Sequence, residues 1–317
     1  METVFPEVPV VDRTNWTIDS EKDLLLTTLR RATECAADTG RPALASILLP
    51  VPFCDALSVF HLFQQAQLGP GFFWEQSAQQ KALVGVGAAY EIEVTGSERF
   101  AQATSMWRDL QHNTIVAYAG GTTPEQIGGP IFFGGFAFDP QLSHTELWRG
   151  FPDGLLVLPR LLFCAHKQQP TLTMNVLVEA TSDLEVSVNH VISMLKLWQS
   201  TLKRQSKQAY PVPDVTHQLE VHDIMPRSEW EALVMNAVEE IERGLYTKVV
   251  LARDVEVSSK EQPFDVLETL ARLRAGYPAA YVFAMQRGER YFIGATPERL
   301  IYGQDGQLRT MALAGSA

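Results

Sequence analysis

Two periods organise the hydrophobic positions of this chain. Between Lys22 and Thr39 the apolar residues Leu24, Leu25, Leu29 and Ala32 recur at helical spacing, and Gly40 and Pro42 stop the pattern, so a helix is predicted there. Ala43–Leu49 is a short apolar run with the character of a buried strand. Phe72–Glu75, Lys81–Tyr90, Ile131–Phe138, Gly154–His166 and Thr171–Val178 follow as strand candidates, divided by clusters of Gly, Pro and Gln. Ser182–Trp198 reads as a second amphipathic helix. Gln199–Asp223 then loses both periods and gathers Lys203, Arg204, Lys207, Pro211 and Pro213. That stretch reads as a linker between an amino-terminal region, 1–198, and a carboxy-terminal one, 224–317.

The carboxy-terminal region is punctuated more clearly. Ser228-Glu-Trp-Glu231 has the form of a capping box, and Trp230, Leu233, Val234, Ala237, Val238 and Ile241 continue from it at helical spacing to Gly244. Tyr246–Val257 is predicted as a strand. Pro263-Phe-Asp265 opens a helix that carries Val266, Leu267, Leu270 and Leu273 and stops at Gly276 and Pro278. Ala280–Gln286 and Arg290–Gly294 form a predicted hairpin about Arg287-Gly-Glu289, and Leu300–Tyr302 and Leu308–Ala314 a second about Gln304-Asp-Gly306. Runs of strands with helices set among them, not a regular alternation, predict an α+β protein with antiparallel sheets.

Composition narrows the function classes. The 317 residues are 46% hydrophobic and 20% charged, enough for a full globular core. No run approaches the roughly 20 apolar residues of a membrane span, and the first residues lack the basic start and apolar run of a signal peptide, so a cytoplasmic protein is expected. A net charge of −11 argues against nucleic acid as a partner. Cys35, Cys54 and Cys164 are scattered, which predicts reduced thiols, not a disulfide framework or a zinc site. Gly85-Val-Gly87 fails as a nucleotide loop because Tyr90 stands at the third glycine's place, and it reads as close strand packing.

Three stretches carry candidate chemistry. Lys248 lies in Thr247-Lys-Val-Val-Leu-Ala-Arg253, where a charged residue on each face of an apolar strand needs a reason. A desolvated lysine there can serve as a general base; an edge strand would leave it in solvent. In Phe292-Ile-Gly-Ala-Thr-Pro-Glu-Arg-Leu300, Pro297 fixes the backbone just before Glu298 and can aim that carboxyl from a rigid turn, although Glu298 and Arg299 also suit an ordinary turn. Ala312-Leu-Ala-Gly-Ser316 offers small residues that let a ligand approach the backbone, or simply close packing.

Taken in order, these three stretches resemble the signatures of the chorismate-utilising enzymes, a family of isochorismate, salicylate, anthranilate and aminodeoxychorismate synthases. Ile-Phe-Phe-Gly-Gly-Phe-Ala-Phe-Asp-Pro, 131–140, resembles the isochorismate synthases in particular. The resemblance implies the family fold of large antiparallel sheets with helices packed outside, incomplete at the carboxy terminus. It implies Lys248 as the base that activates water, Glu298 as the general acid, and Ala314, Gly315 and Ser316 against the substrate. It further implies Mg2+ as cofactor, with its glutamate ligands beyond residue 317 and none within it, so the 317 residues alone are expected to leave chorismate unconverted. Chorismate is the implied small-molecule partner, without nucleic acid or membrane, and a monomer is expected. Isochorismate and salicylate remain open as products, and menaquinone and siderophore synthesis as pathways. A truncated, non-catalytic chorismate-binding product is the reading from another class.

Overall fold

The computed structural model describes residues 18–119, 122, 128–139, 146–166, 169–204, 219–260, 263–304 and 306–311. The chain divides into two compact units, one of Met1–Val212 with Leu270–Ala317 and one of Pro213–Thr269. Helix α1, Ile18–Thr39, leads to strand β1, Ala43–Pro50. Helix α2 (Ala56–Gln65) precedes β2 (Gly71–Gln76) and β3 (Lys81–Val86). Next come β4 (Tyr90–Val94), α3 (Arg99–His112) and β5 (Thr114–Tyr118). After them lie β6 (Phe133–Phe136), β7 (Gly154–Leu158), β8 (Leu161–His166), β9 (Thr171–Val178) and α4 (Leu184–Arg204). The second unit holds β10 (Leu219–Asp223), α5 (Arg227–Glu242) and β11 (Val255–Ser259). Helix α6 (Val266–Gly276) contains the return to the first unit, which ends with β12 (Tyr281–Arg287), β13 (Arg290–Thr296), β14 (Tyr302–Gln304) and β15 (Gln307–Arg309).

The first unit is built on an eight-stranded sheet in the order β13-β12-β2-β3-β8-β9-β1-β5. Neighbouring strands are antiparallel except β1 and β5, which run parallel. Strands β1, β8 and β9 are buried along nearly their whole length, the polar Thr171, Thr173 and Asn175 of β9 included, because both faces are covered. On one face Phe73 meets Phe60 of α2 at 5.7 Å, and Phe163 stacks on Trp198 of α4 at 5.5 Å. Leu25 and Leu29 of α1 are fully buried with Trp198. On the other face Phe72 stacks at 5.2 Å on Phe133 of a three-stranded sheet, β4-β7-β6. Helix α3 packs on that smaller sheet, where Ala103 joins Ile92 and Val94. This is the expected α+β architecture, antiparallel with its helices outside.

Several elements differ from expectation for local reasons. Lys81–Tyr90 is not one strand: Gly87, at φ +72°, turns the chain between β3 and β4. Gly154–His166 is likewise two strands, broken at Pro159-Arg160. The expected linker is part helix and part strand, since α4 reaches Arg204 and Leu219–Asp223 pairs with β11; residues 205–218 lie outside the described ones. The stretch 224–317 is not one region either, because β12 is hydrogen-bonded to β2 and so places Leu270–Ala317 in the first unit.

The capping box does not form. Helix α5 starts at Arg227, which puts Ser228 inside the first turn, and no side chain caps the helix; Arg227 instead bonds Glu231 at 2.8 Å. Gly85 behaves as close packing requires, since a Cβ there would lie 3.0 Å from Pro159. None of the three cysteines is in a disulfide, with Cys54 and Cys164 buried and Cys35 partly so; burial pushes the Cys164 thiol up to about 12.

Trp198 joins α4 to the helices and the main sheet at once, touching Phe63 at 6.2 Å as well as Phe163. Replacing it with alanine is expected to remove about 3–5 kcal/mol of stability in urea denaturation. A loss below about 1 kcal/mol would show that this contact is not central to the core.

Candidate functional site

Glu298 is placed by the β12–β13 hairpin. Gly288, at φ +60°, makes the tight turn between the two strands. Gly294 is required where Phe283 crosses it, because a Cβ would sit 2.6 Å from the Phe283 ring. That ring packs at 5.4 Å on Phe292, which packs in turn on Trp148 at 5.4 Å. The far end of the hairpin is clamped by charge. Arg287 pairs with Glu91 at 2.6 Å, and Arg290 holds the Glu146 carboxylate at 2.9 Å and its carbonyl at 2.8 Å.

Strand β13 ends at Thr296, and Pro297 turns the chain there. The Glu298 amide donates to Thr296 Oγ1 at 3.1 Å, closing a small side-chain turn just before the candidate acid. Glu298 is exposed. The Arg299 guanidinium lies 5.0 Å over the Tyr302 ring, which fixes the following residue as well. Thr296 is the functional side chain that the sequence reading passed over; its signal was a Thr two residues before the carboxylate, with a proline between.

Lys248 belongs to the second unit, and its surroundings differ from those expected. The predicted strand over Tyr246–Val257 forms only at Val255–Ser259. A strand needs a neighbour to take its amides and carbonyls, and β10 pairs with those five residues alone. Residues 248–254 are irregular, Lys248 is exposed, and Val250 is 81% exposed. The burial expected to desolvate the lysine is therefore absent from the described residues. Arg253 needs no catalytic reason, because it pairs with Asp223 at 3.1 Å and lies over Trp230. Nearby, Tyr246 donates to Glu240 at 2.5 Å, and that bond raises the phenol above its usual range. Lys248 and Glu298 thus sit in different units, each at the surface of its own, and Ala314, Gly315 and Ser316 lie outside the described residues.

The Gly-Gly-Phe-Ala-Phe stretch has a packing role. A Cβ on Gly134 would come within 1.8 Å of the Leu155 carbonyl oxygen, so β6 can pair with β7 only if glycine stands there. Arg99, buried at the start of α3, donates to the carbonyls of Ala137 at 3.1 Å and Phe138 at 3.5 Å and so holds the chain just beyond β6.

Removing the Thr296 hydroxyl tests the turn. Thr296→Val is expected to speed exchange of the Glu298 amide with solvent by about tenfold, the equivalent of one ordinary hydrogen bond, while Thr296→Ser keeps it slow. Equal rates in all three proteins, read by NMR, would show that the hydroxyl does not hold the turn.

Comparison with known proteins gives a consistent set of relatives. The family described as "Chorismate binding enzyme" matches residues 29–317. The chain is similar to the isochorismate synthase MenF of Bacillus subtilis, 27% identical over 287 residues that make up 89% of this chain and 58% of that protein. It is similar to the salicylate biosynthesis isochorismate synthase of Pseudomonas aeruginosa, 31% identical over 292 residues, 91% of this chain and 57% of that one. Among solved structures it resembles that of MenF, the menaquinone-specific isochorismate synthase from Escherichia coli, at a TM-score of 0.58 and 26% identity, over 89% of this chain and 58% of the other. The chain therefore spans a little under three-fifths of the length of the relatives it matches.

Proposed function

The chain belongs to the chorismate binding enzyme family, and from that membership we propose that it serves an isochorismate synthase, which converts chorismate to isochorismate. The observation that carries the reading is the breadth of the match: the two curated relatives align along about nine-tenths of the chain, and both are isochorismate synthases.

In the proposed reaction Lys248, acting as the uncharged amine, takes a proton from a water molecule, and the water oxygen bonds to C2 of the chorismate ring. The ring double bonds shift, the C4–oxygen bond breaks, and Glu298 gives its proton to the departing hydroxyl, which leaves as water. One proton enters the protein at the lysine and one leaves at the glutamate. General acid and base groups of this kind contribute roughly a hundredfold or more each. The Thr296 turn supports this role for Glu298, since it holds the backbone of an exposed carboxyl that a ligand can reach.

Magnesium is the cofactor that the family likeness implies. Among the described residues no group of three or more His, Cys, Asp or Glu side chains could hold a metal ion. The described residues do not by themselves fit the ion. No helix among the described residues is long and apolar enough to cross a membrane.

Product analysis tests the assignment on the protein that carries this chain, supplied with chorismate and magnesium. Isochorismate is the expected product, and Lys248→Ala and Glu298→Gln are each expected to slow its formation by about a hundredfold or more. Fluorescent salicylate instead would move the protein to the neighbouring activity, and full activity in both variants would refute the roles given to these residues.

A further inference from the structure

Two carboxylates and one guanidinium meet in the interior of the first unit, on the helix-covered face of the main sheet. Asp55 stands before α2, where its carboxylate accepts from the Ser58 amide at 3.0 Å and the Ser58 hydroxyl at 3.0 Å. Arg274, in the last part of α6, donates to the other oxygen of Asp55 at 2.6 Å. Glu75, near the end of β2, reaches the same Arg274 nitrogen only at 3.7 Å, and its Oε2 is buried with no hydrogen-bond partner among the described residues. The three side chains are 13–14% exposed. Asp55 thus takes the close bond from the Arg274 nitrogen as well as those from Ser58, while Glu75 has only a longer approach to that same, already engaged nitrogen.

The remaining neighbours of Glu75 give it no further charge. Its partner on β3 is Ala82, and its partner on β12 is Val282. Lys81 lies over the ring of Trp74, which points to the opposite face of the sheet. Burial raises the Glu75 carboxyl to about 7, outweighing the Arg274 cation, which lowers it, and the Asp55 carboxylate adds to the rise.

The place of this cluster gives it a consequence. Gln76 Nε2 donates to the Ala279 carbonyl at 3.2 Å, and the Ala78 amide donates to the Pro278 carbonyl at 2.9 Å. The end of β2 therefore holds the short joint between α6 and β12, and the ladder of β2 on β12 begins at Glu75 and Val282. We propose that Glu75, with Asp55 and Arg274, is a proton-operated latch on that joint: a proton on Glu75 keeps residues 277–287 docked on β2, and its loss loosens them. A neutral carboxyl can lie beside Asp55 without repulsion and can donate a hydrogen bond. An ionised one places two negative charges against one positive charge, out of water.

The sign follows from linkage. In the docked state Glu75 keeps its proton up to about pH 7, whereas a solvent-exposed glutamate loses it near 4.5. The docked state binds more protons between these limits, so docking weakens as pH rises through them and levels off above the docked value.

Hydrogen exchange by mass spectrometry of residues 277–287, in the native chain and in Glu75→Gln, tests the latch. After correction for intrinsic exchange, the native segment should open more readily at pH 8 than at pH 6 by roughly tenfold, and Glu75→Gln should stay within about twofold. A flat native profile, or an equal slope in Glu75→Gln, would overturn the proposal. An equal slope in Thr171–Val178 would place the effect on the whole fold and overturn it too. Carbon NMR titration of the Glu75 carboxyl in the native chain decides the matter if the variant fails to fold: a midpoint near neutrality supports the latch, and one below pH 5 overturns it.

Discussion

The ladder between β2 and β12 is the constraint on which the rest of the first unit depends. It pairs Gly71–Glu75 with Val282–Gln286, segments about two hundred residues apart, and so makes one sheet from the two ends of the chain. Contacts this distant in sequence close a large loop before they return any stability, so side chains must add contacts across the ladder itself. Those contacts are present: Trp74 stacks on Tyr281 at 5.2 Å, Phe72 stands opposite Met285, and Gln64 of α2 donates to Tyr291 at 2.9 Å. Strand β13, which leads into the turn that carries Glu298, pairs with β12 and so joins the sheet through this ladder.

Arginines organise the same region in an otherwise acidic protein. Arg287 and Arg290 tie the hairpin to Glu91 and Glu146, in and beyond the smaller sheet, and Arg274 ties the end of α6 to the cap of α2. Each guanidinium has a carboxylate at 2.6–2.9 Å, the geometry that repays desolvation best. Glu75 is the exception, a second acid at a cation that is already occupied. The joint most important to the sheet is therefore also a place where one proton changes the electrostatics.

How much of this could be read from the sequence depended on how local each cause was. The helix at Lys22–Thr39, the strand Thr171–Val178 and the hairpin at Tyr281–Thr296 were legible, because periodicity and turn residues act over a few positions. Helices α2 and α3 were missed. Ala56–Gln65 contains no acidic or basic residue apart from His61, so its apolar face is not set off by a charged one. The division of the chain was not legible either, since nothing near residue 270 announces a ladder to residue 75. Tyr246–Val257 shows the reverse failure: its residues favour a strand, but a strand also needs a neighbour, and β10 supplies one for five residues only. The motif glycines Gly134 and Gly294 were read through family likeness, yet the Leu155 carbonyl and the Phe283 ring explain why no side chain fits there. Lys248 and Glu298 were legible as candidates, but the burial expected around the lysine was not found.

The central proposal is that a protein carrying this chain acts on chorismate, with Lys248 and Glu298 as its base and acid. Calorimetric titration of chorismate into the 317-residue chain tests it most directly, with Lys248→Ala and Glu298→Gln run beside the native sequence. The account predicts saturable, one-to-one binding that either substitution weakens by about tenfold, the loss of one good polar contact. Absence of binding by the native chain, or the same affinity in all three proteins, would contradict it.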